Sequence, residues 1–408
     1  MVIQRRWKGS CDLLDEKMSL KNLRLGKEEW EMRKLAICLI GMAFLFSIGM
    51  AEAQEKREKI QYAYLGPLTG SGAALGAEQW AGVQLAVKDI NAAGGIKVGG
   101  KTYEFEAHDF DVEESPEKSV TKMNEALSLH HPRFFYGASS MTGIPLKQFA
   151  KDKGFIMVAM SEVPGYTDPL NPLCFRGWMK VSDQGPMLDY MRKLGISKLG
   201  LLAHSGEVSV KWAEVCKGFW EKKGGKVVGE VTYPVESTDF TSPVTKLLSS
   251  NPDAIASGGN PDVRAANILK IARELGFKGK FFFGGACRGP RMVGLIGKEL
   301  AEGTLLVGTE WEKGSPKIDV FKKRIAELYP GKPFGFIFVV AYEPLFMLKA
   351  GMEKAGTVTD INKIAEAMGT AVTPSTSPTG LFSKVIKGEV ELNLYPVEIR
   401  NGQVVAVK

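Results

Sequence analysis

Histidine and cysteine are scarce in this chain, and neither is spaced for metal binding. The sequence has four histidines and five cysteines among 408 residues, and no histidine has a second His or Cys at metal-ligand spacing. Three cysteines lie beyond residue 53, at Cys174, Cys216 and Cys287. Their odd number and wide spacing exclude a disulfide framework, although one pair could still bridge. We expect all three to be small buried apolar residues.

Motifs for catalysis and nucleotide binding are also missing. There is no G-x-S-x-G turn, and the glycine-rich loop 70–76 is one residue too long for a dinucleotide fingerprint. No Gly-Lys-Ser/Thr follows it, so it is not a phosphate loop. An enzyme would need a nucleophile and a base that converge on one site. Ser161 and Glu162 are the one candidate pair, and the side chains of adjacent residues rarely point the same way. We therefore expect no enzyme, no metal and no cofactor.

The chain also lacks a surplus of one charge. The first 53 residues hold nine Lys/Arg and seven Asp/Glu, which leaves 44 basic against 39 acidic residues in the remainder. That balance is too even and too evenly spread to indicate a nucleic-acid partner.

A long apolar run occurs once, near the amino terminus. A short basic segment, Met-Arg-Lys at 32–34, precedes a charge-free apolar run at 35–50, and Ala-Glu-Ala at 51–53 gives a cleavage pattern. The run is shorter than the roughly 20 residues of a membrane span. We predict a signal peptide at 32–53, cleaved near Ala53, and export to the periplasm. Residues 1–31 would then be a leader outside the natural product, with Met32 as the true start.

The stretch 59–96 is the unit around which the remaining chain is organised. A period-two run at 60–65 predicts a strand, a glycine-punctuated loop follows, and Trp80, Val83, Val87 and Ile90 recur at helical spacing up to a glycine stop. A strand, loop and helix N-terminus together can form a pocket wall. The loop either faces a ligand or is an ordinary glycine turn.

Short apolar runs then alternate with helical patterns through residue 307. This alternation predicts parallel sheets covered by helices on both faces, and the length predicts two such units. The segment 317–368 is mostly helical and must pack on one of them. Two short strands at 395–400 and 404–407 finish the chain.

Several stretches resemble the periplasmic solute-binding proteins of the leucine/isoleucine/valine type, which feed ABC transporters. The matching stretches are GPLTG at 66–70, GVQLA at 82–86, INAAGGI at 90–96, DFD at 109–111, FR at 175–176 with DQG at 183–185, and AEG at 301–303. The resemblance covers nearly all of 58–408. It implies an α/β fold of two doubly wound Rossmann-like lobes joined by a three-crossover hinge, the type I periplasmic binding protein fold.

Carried onto this chain, the resemblance places the crossovers near 179–182, 308–312 and 378–382. Lobe one would be 58–180 plus 312–378, and lobe two 181–311 plus 379–408. The ligand would lie in the cleft between them, where α/β sheets generally bind ligands.

The resemblance also implies a set of ligand-binding residues. Serine-rich loops would bind a carboxylate through Ser139, Ser140 and Ser161, with Glu162 beside them. The whole set expected at the cleft is Leu75, Trp80, Ser139, Ser140, Ser161, Glu162, Ser209, Asn260, Ala286 and Arg288. Trp178 and Trp311 would lie near the cleft rim or the crossovers.

Lobe two departs from the family pattern in charge. Ala286 aligns with the family's acidic residue for an α-ammonium group, and Arg288 stands close by. This change argues for a small carboxylate without an ammonium group, aromatic carboxylates included, whereas the family argues for a branched-chain amino acid. Glu162 could supply the missing acid, so both ligands stay open.

The resulting hypothesis is an exported solute receptor that closes on a small ligand and delivers it to a membrane permease. The alternative is a sensory ligand-binding module that reports occupancy to a partner receptor.

Overall fold

The structure is a computed structural model that describes residues 57–163, 165–167, 171–285 and 287–407. The predicted leader and signal peptide lie outside these residues. Within them, no helix is both long enough and apolar enough to span a bilayer. The same residues contain no cluster of three His, Cys, Asp or Glu side chains able to hold a metal ion.

The strands and helices alternate along the chain. The strands are β1 (Glu58–Gly66), β2 (Ile96–Val98), β3 (Lys101–Asp111), β4 (Phe134–Gly137), β5 (Ile156–Ala159), β6 (Cys174–Arg176), β7 (Lys198–His204), β8 (Lys226–Tyr233), β9 (Ala254–Gly258), β10 (Lys280–Gly284), β11 (Leu305–Gly308), β12 (Lys384–Ile386), β13 (Glu389–Glu391), β14 (Tyr395–Arg400) and β15 (Gln403–Ala406). The helices are α1 (Ala73–Ala92), α2 (Pro116–Leu129), α3 (Ser140–Lys153), α4 (Gly185–Lys193), α5 (Glu207–Lys222), α6 (Thr241–Leu248), α7 (Asp262–Glu274), α8 (Gly289–Ile296), α9 (Lys298–Ala301), α10 (Glu310–Lys313), α11 (Pro316–Leu328), α12 (Phe336–Ala355) and α13 (Ile361–Ala371).

The described strands form two sheets, each the centre of one lobe. The first has the order β12-β13-β6-β5-β4-β1-β3-β2, and the second has the order β15-β14-β11-β10-β9-β7-β8. In the first sheet, β1 runs parallel to both β3 and β4, with Tyr62 beside Ala107 and Phe134. The α/β fold class with two parallel-dominated sheets is thus confirmed.

Strand β10 illustrates why a continuous apolar run becomes a central strand. Phe281 and Phe283 stack on one face of the second sheet, with their ring centroids 5.1 Å apart. Phe282 packs against Trp212 on the other face, with ring centroids 5.4 Å apart. All three rings are buried. A strand covered on both faces needs no polar alternation.

Helix α2 begins where its sequence signals indicate. Ser115 is its N-cap, and the hydroxyl accepts a hydrogen bond from the Lys118 amide at 3.2 Å, with Pro116 at the first helical position.

The helical segment α11–α13 packs its apolar side chains, among them Phe321, Phe338 and Ile364, into the core of lobe one.

The prediction that residues 379–408 belong to lobe two is wrong for part of that range. Strands β12 and β13 join the first sheet, where Glu389 pairs with Arg176. The chain therefore passes from the first sheet to the second a last time between β13 and β14, not at 378–382. The physical reason is a buried charge, because Arg176 is 1% exposed and its Nε lies 3.5 Å from Glu389.

Candidate functional site

Hydroxyl groups gather where two neighbouring parallel strands of the first sheet end. Gly137 of β4 lies beside Ala159 of β5, so the loops that follow these strands run next to each other. Ser140 Oγ is 3.2 Å from Ser161 Oγ, and it accepts a hydrogen bond from the Glu162 amide at 3.3 Å. The structure thus brings together three residues that the sequence placed in one site.

Ser139 completes this serine cluster of Ser139, Ser140 and Ser161. It is the N-cap of α3 but makes no side-chain capping bond. Its buried hydroxyl has no hydrogen-bond partner among the described residues. A buried polar atom left without a partner costs free energy. A ligand acceptor at this helix N-terminus would satisfy it.

Glu162 follows the serine cluster and lies where the two lobes meet. The residue is 7% exposed, and within the described chain one hydrogen bond reaches its carboxylate, from Trp178 Nε1 at 3.1 Å. A Cβ atom added to Gly285 of lobe two would lie 2.5 Å from Glu162 Oε1. Burial raises the pKa of Glu162 to about 7, opposed by Trp178 and Arg176.

Arg176 holds this loop in place. Its guanidinium donates to the Ser161 carbonyl and, at 2.9 Å, to the Val163 carbonyl, so it fixes the backbone on both sides of Glu162. Sequence reasoning gave Arg176 no role in the site. A basic residue inside an apolar strand triplet, Cys174–Arg176, is the signal that could have indicated one.

The two polar residues expected from lobe two serve the lobe itself. The Ser209 hydroxyl donates to the Gly258 carbonyl at 2.7 Å and accepts from the His204 amide at 3.1 Å. Asn260 donates to Ser257 at 2.8 Å and accepts from Tyr233 at 2.7 Å. These bonds use the groups that would contact a ligand, so they do not support the expected role.

Arg288 is expected to attract a carboxylate, but acidic side chains already occupy its guanidinium. Its Nε and Nη2 donate to Asp262 at 2.9 and 2.5 Å, and its Nη1 donates to Glu78. Arg291 also approaches Asp262, at 3.3 Å. Two acids therefore balance two cations here, and the inverted charge preference inferred from the sequence is not supported.

Glu78 makes this group an ion pair between the lobes. It lies on α1 of lobe one, 2% exposed, and its Oε1 accepts the amides of Gly335 at 2.7 Å and Phe338 at 3.2 Å at the start of α12. Arg288 reaches it from lobe two. Burial raises the pKa of Glu78, and Arg288 opposes this shift. A charged residue within the buried stripe of α1 was the sequence signal for this contact.

Two further residues expected at the cleft pack against the core of lobe one. Leu75 and Trp80 are partly buried against the lobe-one core, and the Trp80 ring lies 5.5 Å from that of Tyr64. Ala286 lies outside the described residues.

A cavity of about 440 Å³ opens beside the Arg288 group, on the side of the interlobe connections. Both lobes line it. Trp178 and Trp311 are among its walls, as are Phe336 and Gly285. Because Trp178 also donates to Glu162, its indole ring stands between this hinge-side cavity and the serine cluster.

Two α/β lobes, three connections and a buried polar site at their junction define a two-lobed solute-binding protein. The chain belongs to the periplasmic binding protein family, whose model matches residues 59–403. Its relatives with known roles are solute-binding proteins, not enzymes.

Two relatives show the extent of the similarity. The leucine-, isoleucine-, valine-, threonine- and alanine-binding protein of Pseudomonas aeruginosa is 26% identical over 84% of this chain and 90% of its own length. The Leu/Ile/Val-binding protein of Escherichia coli K12 is 25% identical over 76% of this chain and 83% of its own length.

Solved structures share the fold. A leucine-binding protein from Thermotoga maritima superposes with a TM-score of 0.76 at 23% identity, covering 86% of this chain and 98% of that one. The branched-chain amino acid transporter substrate-binding protein of Streptococcus pneumoniae, in complex with isoleucine, gives 0.76 at 22% identity, covering 86% and 100%.

Proposed function

We propose that this protein is the exported solute-binding component of an ABC transporter. It binds a small apolar amino acid between its lobes and delivers it to a membrane permease. The family and the binding specificities in the relatives' names support this proposal. The lobes would close on the ligand as a hinge, stabilised by its contacts with both.

The observation that carries the choice of ligand is the unpaired acid at the lobe junction. Glu162 is buried with one neutral hydrogen-bond donor, whereas the Arg288 cation is already balanced by Glu78 and Asp262. A buried carboxylate is stabilised by a cation. Arg176 lies close by but donates to the carbonyls on either side of Glu162, so no cation contacts the carboxylate directly, which favours an amino acid over a simple carboxylate.

The serine cluster is suited to the other end of the same ligand. Ser139 has a buried hydroxyl without a partner, and Ser140 and Ser161 lie beside it. Hydroxyl groups and helix amides bind carboxylates through charge-assisted hydrogen bonds. The carboxylate would lie on the serines and the ammonium group at Glu162.

Calorimetry with two ligands of one carbon skeleton tests this assignment. Leucine should bind, and 4-methylpentanoate, which lacks the ammonium group, should bind more weakly. Glu162→Gln should weaken leucine binding about tenfold to hundredfold, because a charge-assisted hydrogen bond of about 1.5–3 kcal/mol is lost. The same change should leave 4-methylpentanoate affinity unaltered.

Glu343→Gln is the matched control. Glu343 is 1% exposed and, like Glu162, burial raises its pKa to about 7, but Ser377 and Thr379 of its own lobe bind it. Leucine binding should survive this substitution. Tighter binding of 4-methylpentanoate than of leucine by the unaltered protein would overturn the assignment.

Export and delivery are tested in cells. The mature protein should be recovered from the periplasm with Gln54 as its first residue. Leucine uptake should fall when the gene is deleted and return when it is restored, but not when Glu162→Gln is supplied. Recovery in the cytoplasm would contradict the proposed role.

A further inference from the structure

The hinge-side cavity has the features of a second ligand site. Its volume of about 440 Å³ falls in the range of about 300–1,000 Å³ typical of small-molecule sites. Four of its lining residues are aromatic: Trp178, Trp311, Phe334 and Phe336. Trp178 and Phe336 stack on each other at 5.0 Å, so they form a rigid wall. Flat apolar molecules pack well against such rings.

The polar groups that line this cavity include donors without acceptors. Arg291 approaches Asp262 through its Nε at 3.3 Å, but its two terminal nitrogens and the Trp311 indole N–H make no hydrogen bond to any described residue. Lys322 has a weak partner, Asp319 at 3.7 Å, and its ammonium group lies 5.3 Å from the Trp311 ring centroid. These three side chains come from both lobes and from the connection between them.

The acidic group in the cavity wall is already bound. Glu312 Oε2 accepts the Thr309 amide at 2.7 Å and the Thr309 hydroxyl at 3.1 Å, as the partner in a helix capping box. Arg288, which also lines the cavity, is bound by Glu78 and Asp262. The charges around the cavity are balanced, because Arg291 approaches Asp262 and the Lys322 ammonium opposes the raised pKa of Glu312, but the hydrogen-bonding groups left to meet a ligand are mainly donors.

We propose that the hinge-side cavity binds a small aromatic carboxylate as a second ligand, separate from the site at Glu162. The aromatic ring packs against Trp178 and Phe336, and the carboxylate accepts hydrogen bonds from Arg291, Lys322 and the Trp311 indole. Because both lobes line the cavity, its occupancy favours the conformation in which they are in contact. Binding at the two sites is then positively coupled, in either order of addition.

Calorimetric titration of the purified, ligand-free protein with benzoate tests this site directly. Benzoate should bind, and benzamide and benzylamine, which match it in shape but lack the negative charge, should bind at least tenfold more weakly. Arg291→Gln and Lys322→Gln should each weaken benzoate about tenfold, as expected for a lost charge-assisted hydrogen bond. Lys323→Gln, an exposed neighbour of Lys322 on α11, is the matched control and should leave benzoate affinity unchanged.

Further titrations separate this site from the one at Glu162. Benzoate should bind Glu162→Gln as well as the unaltered protein, and saturating leucine should strengthen benzoate binding several-fold. Competition between leucine and benzoate would place benzoate in the cleft and overturn the second site. Absence of benzoate binding, preference for benzylamine, or equal effects of Lys322→Gln and Lys323→Gln would also overturn it. The benzoate titrations do not depend on leucine being the transported ligand.

Discussion

Glu78→Gln should shift the protein toward an open conformation without unfolding either lobe. The glutamine carbonyl can still accept the amides of Gly335 and Phe338, so the start of α12 stays capped. Its amide group, however, would present hydrogens to the Arg288 guanidinium, which is itself a donor. The contact between the lobes is then lost.

The size of this effect follows from the partners that remain. The side chains of Glu78 and Arg288 are 2% and 17% exposed, so solvent screens their attraction little. Removing one member of a buried pair costs about 3–5 kcal/mol when the other is left alone. Arg288 keeps Asp262, so we expect the smaller loss of one charge-assisted hydrogen bond, about 1.5–3 kcal/mol. That corresponds to a tenfold to hundredfold shift in the closing equilibrium.

Energy transfer between dyes on the two lobes measures this shift. Cysteines introduced at Leu129 and Leu275, which are 61% and 45% exposed, provide one attachment point on each lobe. In the ligand-free protein, Glu78→Gln should lower the transfer efficiency. In titrations, it should weaken ligand binding by the factor by which the closing equilibrium shifts. Asp89→Asn is the control, because it breaks a similar ion pair, to Arg324, inside lobe one. It should lower the melting temperature only. Unchanged transfer and affinity in Glu78→Gln would refute the reasoning.

Three further outcomes are expected. Gly285→Ala should abolish tight ligand binding in titrations, because the added Cβ would lie 2.5 Å from Glu162 Oε1. Gly276→Ala is the control, because Gly276 also has a positive φ but has open space around it. It should lower stability in thermal melts by only about 1 kcal/mol and leave ligand binding intact. Burial raises the pKa of Glu162 from 4.5 to about 7, so the ligand-free protein should lose melting temperature relative to Glu162→Gln as pH rises across that interval, and parallel pH profiles would contradict this. The buried, unpaired thiols, Cys216 among them, should resist a thiol reagent until the protein is denatured, and rapid labelling of the native protein would show that they are accessible.

Much of the architecture could be predicted from local signals. The capping serine and first-turn proline of α2, the apolar run of β10 and the alternation of strands with helices all act within a few residues. The burial of Cys174, Cys216 and Cys287 could also be predicted from the sequence. The free thiols of the structure confirm that prediction.

The errors concern contacts that are distant in the sequence. Arg288 reads as a free cation because its partners Asp262 and Glu78 lie 26 and 210 positions away. Strands β12 and β13 have three residues each, too few for a periodic pattern, and their place depends on a contact with Arg176. The resemblance implies a cleft role for Ser209, which stays a prediction that the bonds of its hydroxyl to the backbone of its own lobe do not support.

The order of strands in the two sheets has a consequence for how the protein folds. Strands β7–β11 are consecutive and can assemble early, although their sheet is completed only by β14 and β15. The other sheet cannot add its outer strands until residues 384–391 have emerged, more than 200 residues after β6. Neither half can be produced by cutting the chain at one place. Sequence separations of this size slow folding, so the polypeptide needs protection from aggregation until its last segment is available.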